Sequence, residues 1–429
     1  MRDHKKITLR SVEGFKTQLL AWAQQFEDIV WLDSNRHQHS HSNYDSILAV
    51  DAFTAIQTDS IDGFQKLKEY QSLTKDWIFG YLSYDLKNDT EPLKSTNFDG
   101  LDFPDLCFFQ PKKLFLFKKD TLIIRYLNCV SDEVDLDLKS IETFSLQSDL
   151  SHKNNIKIES RISKHQYINK VKTLLSHIHR GDIYEANFCQ EFYAHANLNA
   201  LETYFKLNTI SQPPFATFLK IGDKFLLSSS PERYLKKTGL EITSQPIKGT
   251  TRRSEFTEED TDLKTLLEGD PKERSENIMI VDLVRNDLSK IAQKGTVEVT
   301  ELCQIYSFKQ VHHMISTIRA KALPTLSAVD IIAATFPMGS MTGAPKISAM
   351  KLIESLENTK RGLYSGAVGY FTPVGDFDFN VVIRSILYNA SKSYISFSVG
   401  SAITAKSTPE KEYQECLVKA KAMRSVLEN

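Results

Sequence analysis

From about residue 160 onward, strand-like segments often follow one another directly, with helix-like segments set between groups of them. This order constrains the architecture. Strands joined by short turns pair antiparallel, whereas a doubly wound parallel sheet needs a helical crossover between strands. The pattern predicts an α+β fold with largely antiparallel sheets. Residues 215–219 and 224–227 read as a hairpin around Gly222-Asp223. Ser163 and Gln166 form a capping box for a helix to Arg180, with Tyr167, Val171, Leu174, Leu175 and Ile178 at helical spacing and Gly181 as the stop. Asp270-Pro271-x-Glu273 starts another helix. Ile395, Phe397 and Val399 alternate with serines, as in a half-buried strand. Thr408-Pro409 opens a long helix with a core face at Tyr413, Cys416, Leu417, Ala420, Met423 and Leu427.

Residues 1–150 mix short apolar runs with polar connectors, and the acidic, polar stretch 131–160 is the expected linker to a region spanning 160–429. Lys plus Arg (53) nearly balance Asp plus Glu (54), so the chain has no basic footprint for nucleic acid or an anionic membrane. The first residues lack an apolar signal region, and no apolar run reaches the ~18 residues of a membrane span. Single cysteines at 107, 129, 189, 303 and 416 form no CxxC pair and read as reduced thiols. A cytoplasmic protein is expected.

Glu273 and Glu276 lie in the first turns of one expected helix, and Glu412 and Glu415 in those of another. Residues three apart share a helix face. If the two helix starts meet, four carboxylates converge and need a cation; all-oxygen ligands suit Mg²⁺. Acidic first turns also suit the helix dipole, so two solvated faces are the other reading. Lys419 lies four residues after Glu415, either as a helical ion pair or as a cation for a substrate carboxylate. Gly339 to Lys346 is a small-residue loop before a helix, either a tight turn or an anion site. Lys248, in Pro246-Ile-Lys-Gly-Thr250, is either an exposed strand-end lysine or a desolvated nucleophile of lowered basicity. His312 and His313 face opposite sides of a strand. His37, His39 and His41 alternate in a polar stretch, either as a loop or as a three-imidazole metal face.

Taken together, SSSPERY (228–234), PIKGT (246–250), KERSENIMIVDLVRNDL (272–288), GSMTGAPK (339–346), the stretch from SGAVGYF to GSAIT (365–404) and EYQE (412–415) resemble the chorismate-utilising enzymes. That family includes anthranilate, aminodeoxychorismate, isochorismate and salicylate synthases. The resemblance implies a two-lobed sandwich with helices packed outside. It is strong over 160–429; residues 1–150 fit loosely, through Leu32-Asp33-Ser34, as a region packed on that catalytic part. Within the family, PIKGT is similar to aminodeoxychorismate synthase component I, where others carry PIAGT. This implies Mg²⁺-dependent amination of chorismate at C4 to 4-amino-4-deoxychorismate, for 4-aminobenzoate and folate synthesis.

The resemblance also implies roles. Lys248 attacks C2 of the ring, Glu232 protonates the leaving hydroxyl, and His313 sits beside the ring. Glu276 and Glu415 match the Mg²⁺ ligands, with Glu273 and Glu412 behind them. Arg384 and Tyr364 match contacts to the pyruvyl carboxylate; Thr342 and Gly343 match the TGAPK contact. Gly400, Ser401 and Ala402 match backbone donors to the ring carboxylate, beside Lys419. The chain departs from the family pattern at Ser401-Ala402, in place of a glycine-rich triplet, and at Met338 in FPMGS. Glu185 stands where the water-using members carry Lys, which argues against a water nucleophile. No nucleophile-elbow Cys with a downstream His-x-Glu is visible, so ammonia is expected from a glutamine amidotransferase subunit as partner, or from free ammonia. Two alternatives share the motifs: anthranilate synthase component I, and a non-catalytic chorismate- or tryptophan-binding protein, against which Glu232, Lys248, the four glutamates and Arg384 argue.

Overall fold

The computed structural model describes residues 2–37, 43–144, 155–309 and 311–429. Every ladder between its strands is antiparallel, as the succession of strand segments predicts. The long strands Ser46–Thr58 and Leu106–Lys118 pair along their length, and two sheets spread from them. One sheet runs from Ser46–Thr58 through Asp28–Asp33, Phe215–Ile221, Lys224–Ser230, Ser385–Asn389 and Tyr394–Thr404 to Glu185–His195. The other runs from Leu106–Lys118 through Ile78–Leu82, Ala367–Phe371, Phe377–Val381, Arg233–Thr238 and Glu241–Gln245 to Val311–Lys321, which also pairs with Ile247–Arg252 and Glu298–Ser307.

Side-chain alternation divides the apolar residues of the first sheet between two cores. Val30, Ala49 and Leu219 join Phe79, Tyr81, Val368 and Phe379 of the second sheet. Ile29, Trp31, Phe218, Leu227 and Phe397 face the other way, toward helices Val12–Trp22, Lys164–Arg180, Ala200–Ser211 and Pro409–Glu428. Strand Tyr394–Thr404 is therefore covered on both faces. The half-buried expectation for residues 395–399 holds in part: Ser398 is partly exposed, but Ser396 is buried, donating to Glu191 Oε1 at 2.7 Å.

The helix signals are well placed. Ser163 and Gln166 make the reciprocal capping bonds, and Gly181 ends that helix in the left-handed conformation. Asp270 accepts from the backbone N–H groups of Lys272 and Glu273, with Pro271 in the first turn. The expected linker is corrected in part. Residues 134–143 form helix Val134–Thr143, which buries Ile141 and packs on Val12–Trp22, while 145–154 lie outside the described residues. His39 and His41 also lie outside them; His37 bonds the Gln212 carbonyl. Among the described residues no helix is long and apolar enough to cross a membrane. The five cysteines are unpaired, and all but Cys129 are buried.

Candidate active site

Two crossings between the sheets set the centre of a cleft. After Lys224–Ser230 the chain leaves the first sheet and enters the second at Arg233, with Glu232 at the crossing. The return crossing, between Phe377–Val381 and Ser385–Asn389, carries Arg384. Val381 N–H donates to the Glu232 carbonyl at 3.0 Å and ties the two together. Arg384 has φ +54°, a strained conformation for a residue with a Cβ, of order 1–3 kcal/mol, imposed by the ladders on either side.

Glu232 is 4% exposed and accepts from Ser340 Oγ at 2.6 Å. Burial pushes its pKa up to about 7, against the opposing pull of the Ser340 bond and Lys248. A carboxyl poised there can give up a proton near neutral pH.

Lys248, on strand Ile247–Arg252, is turned inward and donates to Glu185 Oε1 at 3.0 Å. The expectation of lowered basicity is corrected. Burial does act to lower its pKa, but the Glu185 carboxylate, together with Glu276 and Glu232, outweighs it, and the net direction is up. The resting side chain is an ammonium.

His312 and His313 face opposite ways, as consecutive strand residues do. His312 meets Ser307 and Asp260. His313 meets Thr250 Oγ1 at 2.8 Å and shares an open pocket of about 550 Å³, solvent included, with Ser229, Phe308, Arg384 and Lys419. Burial, and then the charges of Arg384 and Lys419, push the His313 pKa down to about 3, so its imidazole is neutral.

The two acidic helix starts approach each other. Glu276 and Glu412 are buried, while Glu273 and Glu415 are half-buried. Lys272 Nζ lies 3.6 Å from both Glu276 Oε1 and Glu412 Oε1, a cation between the two helices. Glu412 Oε2 is buried with no hydrogen-bond partner. Burial pushes Glu276 up to about 7. Burial acts on Glu415 in the same sense, but Lys419, with Nζ 2.6 Å from Oε1, brings it below the usual value. Among the described residues no three His, Cys, Asp or Glu side chains stand close enough to hold a metal ion as placed. The donor set nonetheless fits a hard divalent cation: four carboxylates, one with a bare buried oxygen, and the Lys272 ammonium supplying positive charge between two of them.

Lys248, Glu232, Glu276, Glu415, His313, Arg384 and Lys419 therefore lie within electrostatic reach of one another, with Tyr364 beside Arg384. Tyr364 is buried with its hydroxyl 3.6 Å from Cys189 Sγ. Lys419 also donates to the Gly400 carbonyl at 2.9 Å. Gly400 lies so close to the neighbouring strand that a Cβ would stand 2.4 Å from Cys189 Sγ. Two residues are turned away from the cleft. Thr342 donates back to Gly339 and Met338 carbonyls of its own turn. Ser401 points to the helix-covered face, where its Oγ is 3.4 Å from Tyr167 Oη. Ala402 pairs with Asn187 in the ladder. Gly343 abuts strand Glu185–His195, where a Cβ would stand 2.1 Å from the Glu185 carbonyl.

Sequence reasoning passed over Ser340 and Lys272. Both sit inside recognised motifs, Ser340 two residues before Thr342 and Lys272 next to Glu273. Only the fold reveals that their polar ends point to Glu232 and to the facing glutamates.

The profile of a family described as chorismate binding enzyme matches residues 15–425. The chain belongs to that family. It is 35% identical over 380 residues to a chloroplastic aminodeoxychorismate synthase of Arabidopsis thaliana, covering 83% of this chain and 41% of that protein. It is 37% identical over 287 residues to aminodeoxychorismate synthase component 1 of Escherichia coli K12, covering 67% of this chain and 61% of that one. The chain thus spans less than two thirds of the length of these curated relatives. Its fold superposes on the crystal structure of anthranilate synthase component I from Streptococcus pneumoniae with a TM-score of 0.77 and 27% identity, over 90% of this chain and 95% of that one. Membership of a chorismate-binding family agrees with a cleft where cationic Arg384 and Lys419 face the glutamates.

Proposed function

We propose that this chain aminates chorismate at C4 to give 4-amino-4-deoxychorismate, with ammonia delivered by a glutamine amidotransferase subunit. The observation that carries the reading is the inward Lys248, paired with Glu185 and facing a Glu232 poised near neutrality. Hydroxide is a poor leaving group, so displacement at C4 needs an acid, and a covalent intermediate divides one hard substitution into two. Lys248 attacks C2, the ring double bonds shift, and the C4–O bond breaks as Glu232 gives its proton to the departing oxygen. Ammonia then adds at C4 and expels the lysine amine from C2. Arg384, with Tyr364, orients the pyruvyl carboxylate, and neutral His313 packs beside the ring. Glu276 and Glu415, backed by Glu273 and Glu412, would hold Mg²⁺, which when bound supplies positive charge for the ring carboxylate. Backbone groups around Gly400 to Ala402, with Lys419, complete that end; Gly343 and Thr342 shape the facing turn.

We read residues 160–429 as the catalytic region, 1–150 as a part packed on it, and the cytoplasm, where single thiols stay reduced, as its compartment. The test is a product assay with the full chain, chorismate, Mg²⁺ and an ammonium salt. Accumulation of 4-amino-4-deoxychorismate supports the proposal. Anthranilate fluorescence would replace it with an anthranilate synthase, an activity named for the S. pneumoniae protein of similar fold. Ligand binding without turnover under any nitrogen source would replace it with a sensor.

A further inference from the structure

Glu185 is 1% exposed, and only one of its carboxylate oxygens is used: Oε1 accepts from Lys248, while Oε2 has no partner. Its backbone is fixed from both sides, by the Thr404 pairing in one ladder and the Ala344 pairing in the other. Buried carboxylate oxygens are normally satisfied, so a bare one facing a reactive lysine calls for a reason. Lys248 supplies it. As an ammonium it has no free electron pair, and it cannot attack a ring carbon until a proton leaves. Glu232 cannot take that proton, because it must hold its own for the leaving hydroxyl. Among the described residues, the other carboxylates that act on Lys248 or stand beside its strand are Glu276, Glu415 and Glu273, and they belong to the expected metal site.

We infer that Glu185 is a catalytic base: its carboxylate takes a proton from the Lys248 ammonium to create the nucleophile and returns it when the amine is released. The inference rests on the amination reading and names the group that makes it work. The protons balance. Transfer from Lys248 to Glu185 leaves a neutral amine beside a carboxylic acid. The amine's electron pair forms the N–C2 bond, the C4–O pair leaves with the Glu232 proton as water, and the lysine nitrogen becomes a secondary ammonium. Ammonia's pair forms the C4–N bond, and the C2–N pair returns to the lysine as neutral amine. Glu185 then reprotonates it, and the new C4 ammonium restores the Glu232 proton. No oxidant, reductant or further reactant is needed.

The test uses the full chain with Mg²⁺ and chorismate but no ammonia, following the Lys248–substrate adduct by rapid quench and intact mass from pH 6 to 10. Glu232, Glu276 and Glu415 also face Lys248 and stay in place throughout. In Glu185→Gln, adduct formation should slow at pH 7 by about a hundredfold, the usual yield of a positioned base. Its rate relative to the wild type at the same pH, a ratio in which the Glu232 limb cancels, should then recover about tenfold per pH unit until the Lys248 amine loses its proton unaided. A wild-type rate with a wild-type pH profile overturns the inference. Should Glu185→Gln melt prematurely, Glu185→Asp decides: a slower rate with the wild-type profile supports the base, and an unchanged rate overturns it. The amination reading fails separately, if the wild-type chain with ammonium makes no aminated product. Normal amination with an unaffected Glu185→Gln sinks the base alone.

Discussion

Ser340→Ala isolates the acid of the proposed reaction. Ser340 Oγ donates to Glu232 Oε1 at 2.6 Å, with both residues buried, and the bond favours the ionised carboxylate. A hydrogen bond to a charged, buried group contributes about 1.5–3 kcal/mol. At about 1.4 kcal/mol per pKa unit, removing it should raise the Glu232 value by about one to two units. The sign follows from the role. Glu232 must be protonated to act, so kcat should be flat below about 7 and fall tenfold per unit above it. In Ser340→Ala that alkaline limb should move upward by the same one to two units, and the variant should exceed the wild type near pH 8.5. The assay is kcat for 4-amino-4-deoxychorismate against pH, at saturating chorismate and constant free ammonia. Glu276 is also pushed up to about 7, but Ser340 does not touch it, so the limb moves only if it belongs to Glu232. A limb that stays in place in Ser340→Ala, or that persists in Glu232→Gln, refutes the assignment.

Two further outcomes follow from packing and charge. Gly400→Ala forces a methyl to within 2.4 Å of Cys189 Sγ and 3.0 Å of the Phe188 carbonyl, so urea unfolding should show a loss of about 1–3 kcal/mol, partly recovered in Gly400→Ala/Cys189→Ala. Lys272→Met removes the cation lying 3.6 Å from Glu276 and Glu412, so Mg²⁺ titrated calorimetrically without chorismate should bind about three- to tenfold tighter, the scale of a screened charge contact near 1 kcal/mol; unchanged affinity would place the metal elsewhere.

What the sequence made legible was mostly local. The Ser163 capping box, the Asp270-Pro271 start and the hairpin at Gly222 are settled by contacts within a few residues, and each appears in the fold. The antiparallel architecture was readable because short turns between strands leave little else. The acidic stretch 131–160 misled because composition reports solvation and not pairing: its helix buries only Ile141, so it looks like a connector. The alternation over 395–399 misled at Ser396, because serine looks solvent-facing until Glu191, from a strand some two hundred residues earlier in the chain, arrives to bond it. In the site, the glutamates and Lys248 were legible through motif and resemblance. The charge state of Lys248 was not, because it depends on Glu185, far away in sequence. Nor was the exclusion of Ser401 and Thr342 side chains from the cleft, which is decided by strand facing and by a turn's own carbonyls.

The interleaving of the two sheets bears on how the molecule comes into being. Leu82 pairs with Ala367 and Asp33 with Ala216, so no early stretch of chain can complete a sheet with its own neighbours. Closing such wide loops carries a large entropic barrier, and folding dominated by distant pairings is slow. Until the later strands dock, Ile78–Leu82 and Asp28–Asp33 each present a bare edge, the kind of surface from which misassembly starts. Every residue assigned a part in the chemistry lies beyond position 184, yet the crossings that aim Glu232 and Arg384 belong to sheets that the first 120 residues help close. Chains that lack the later strands therefore cannot set the two crossings, and activity should appear in a single late step, once nearly all the strands are present.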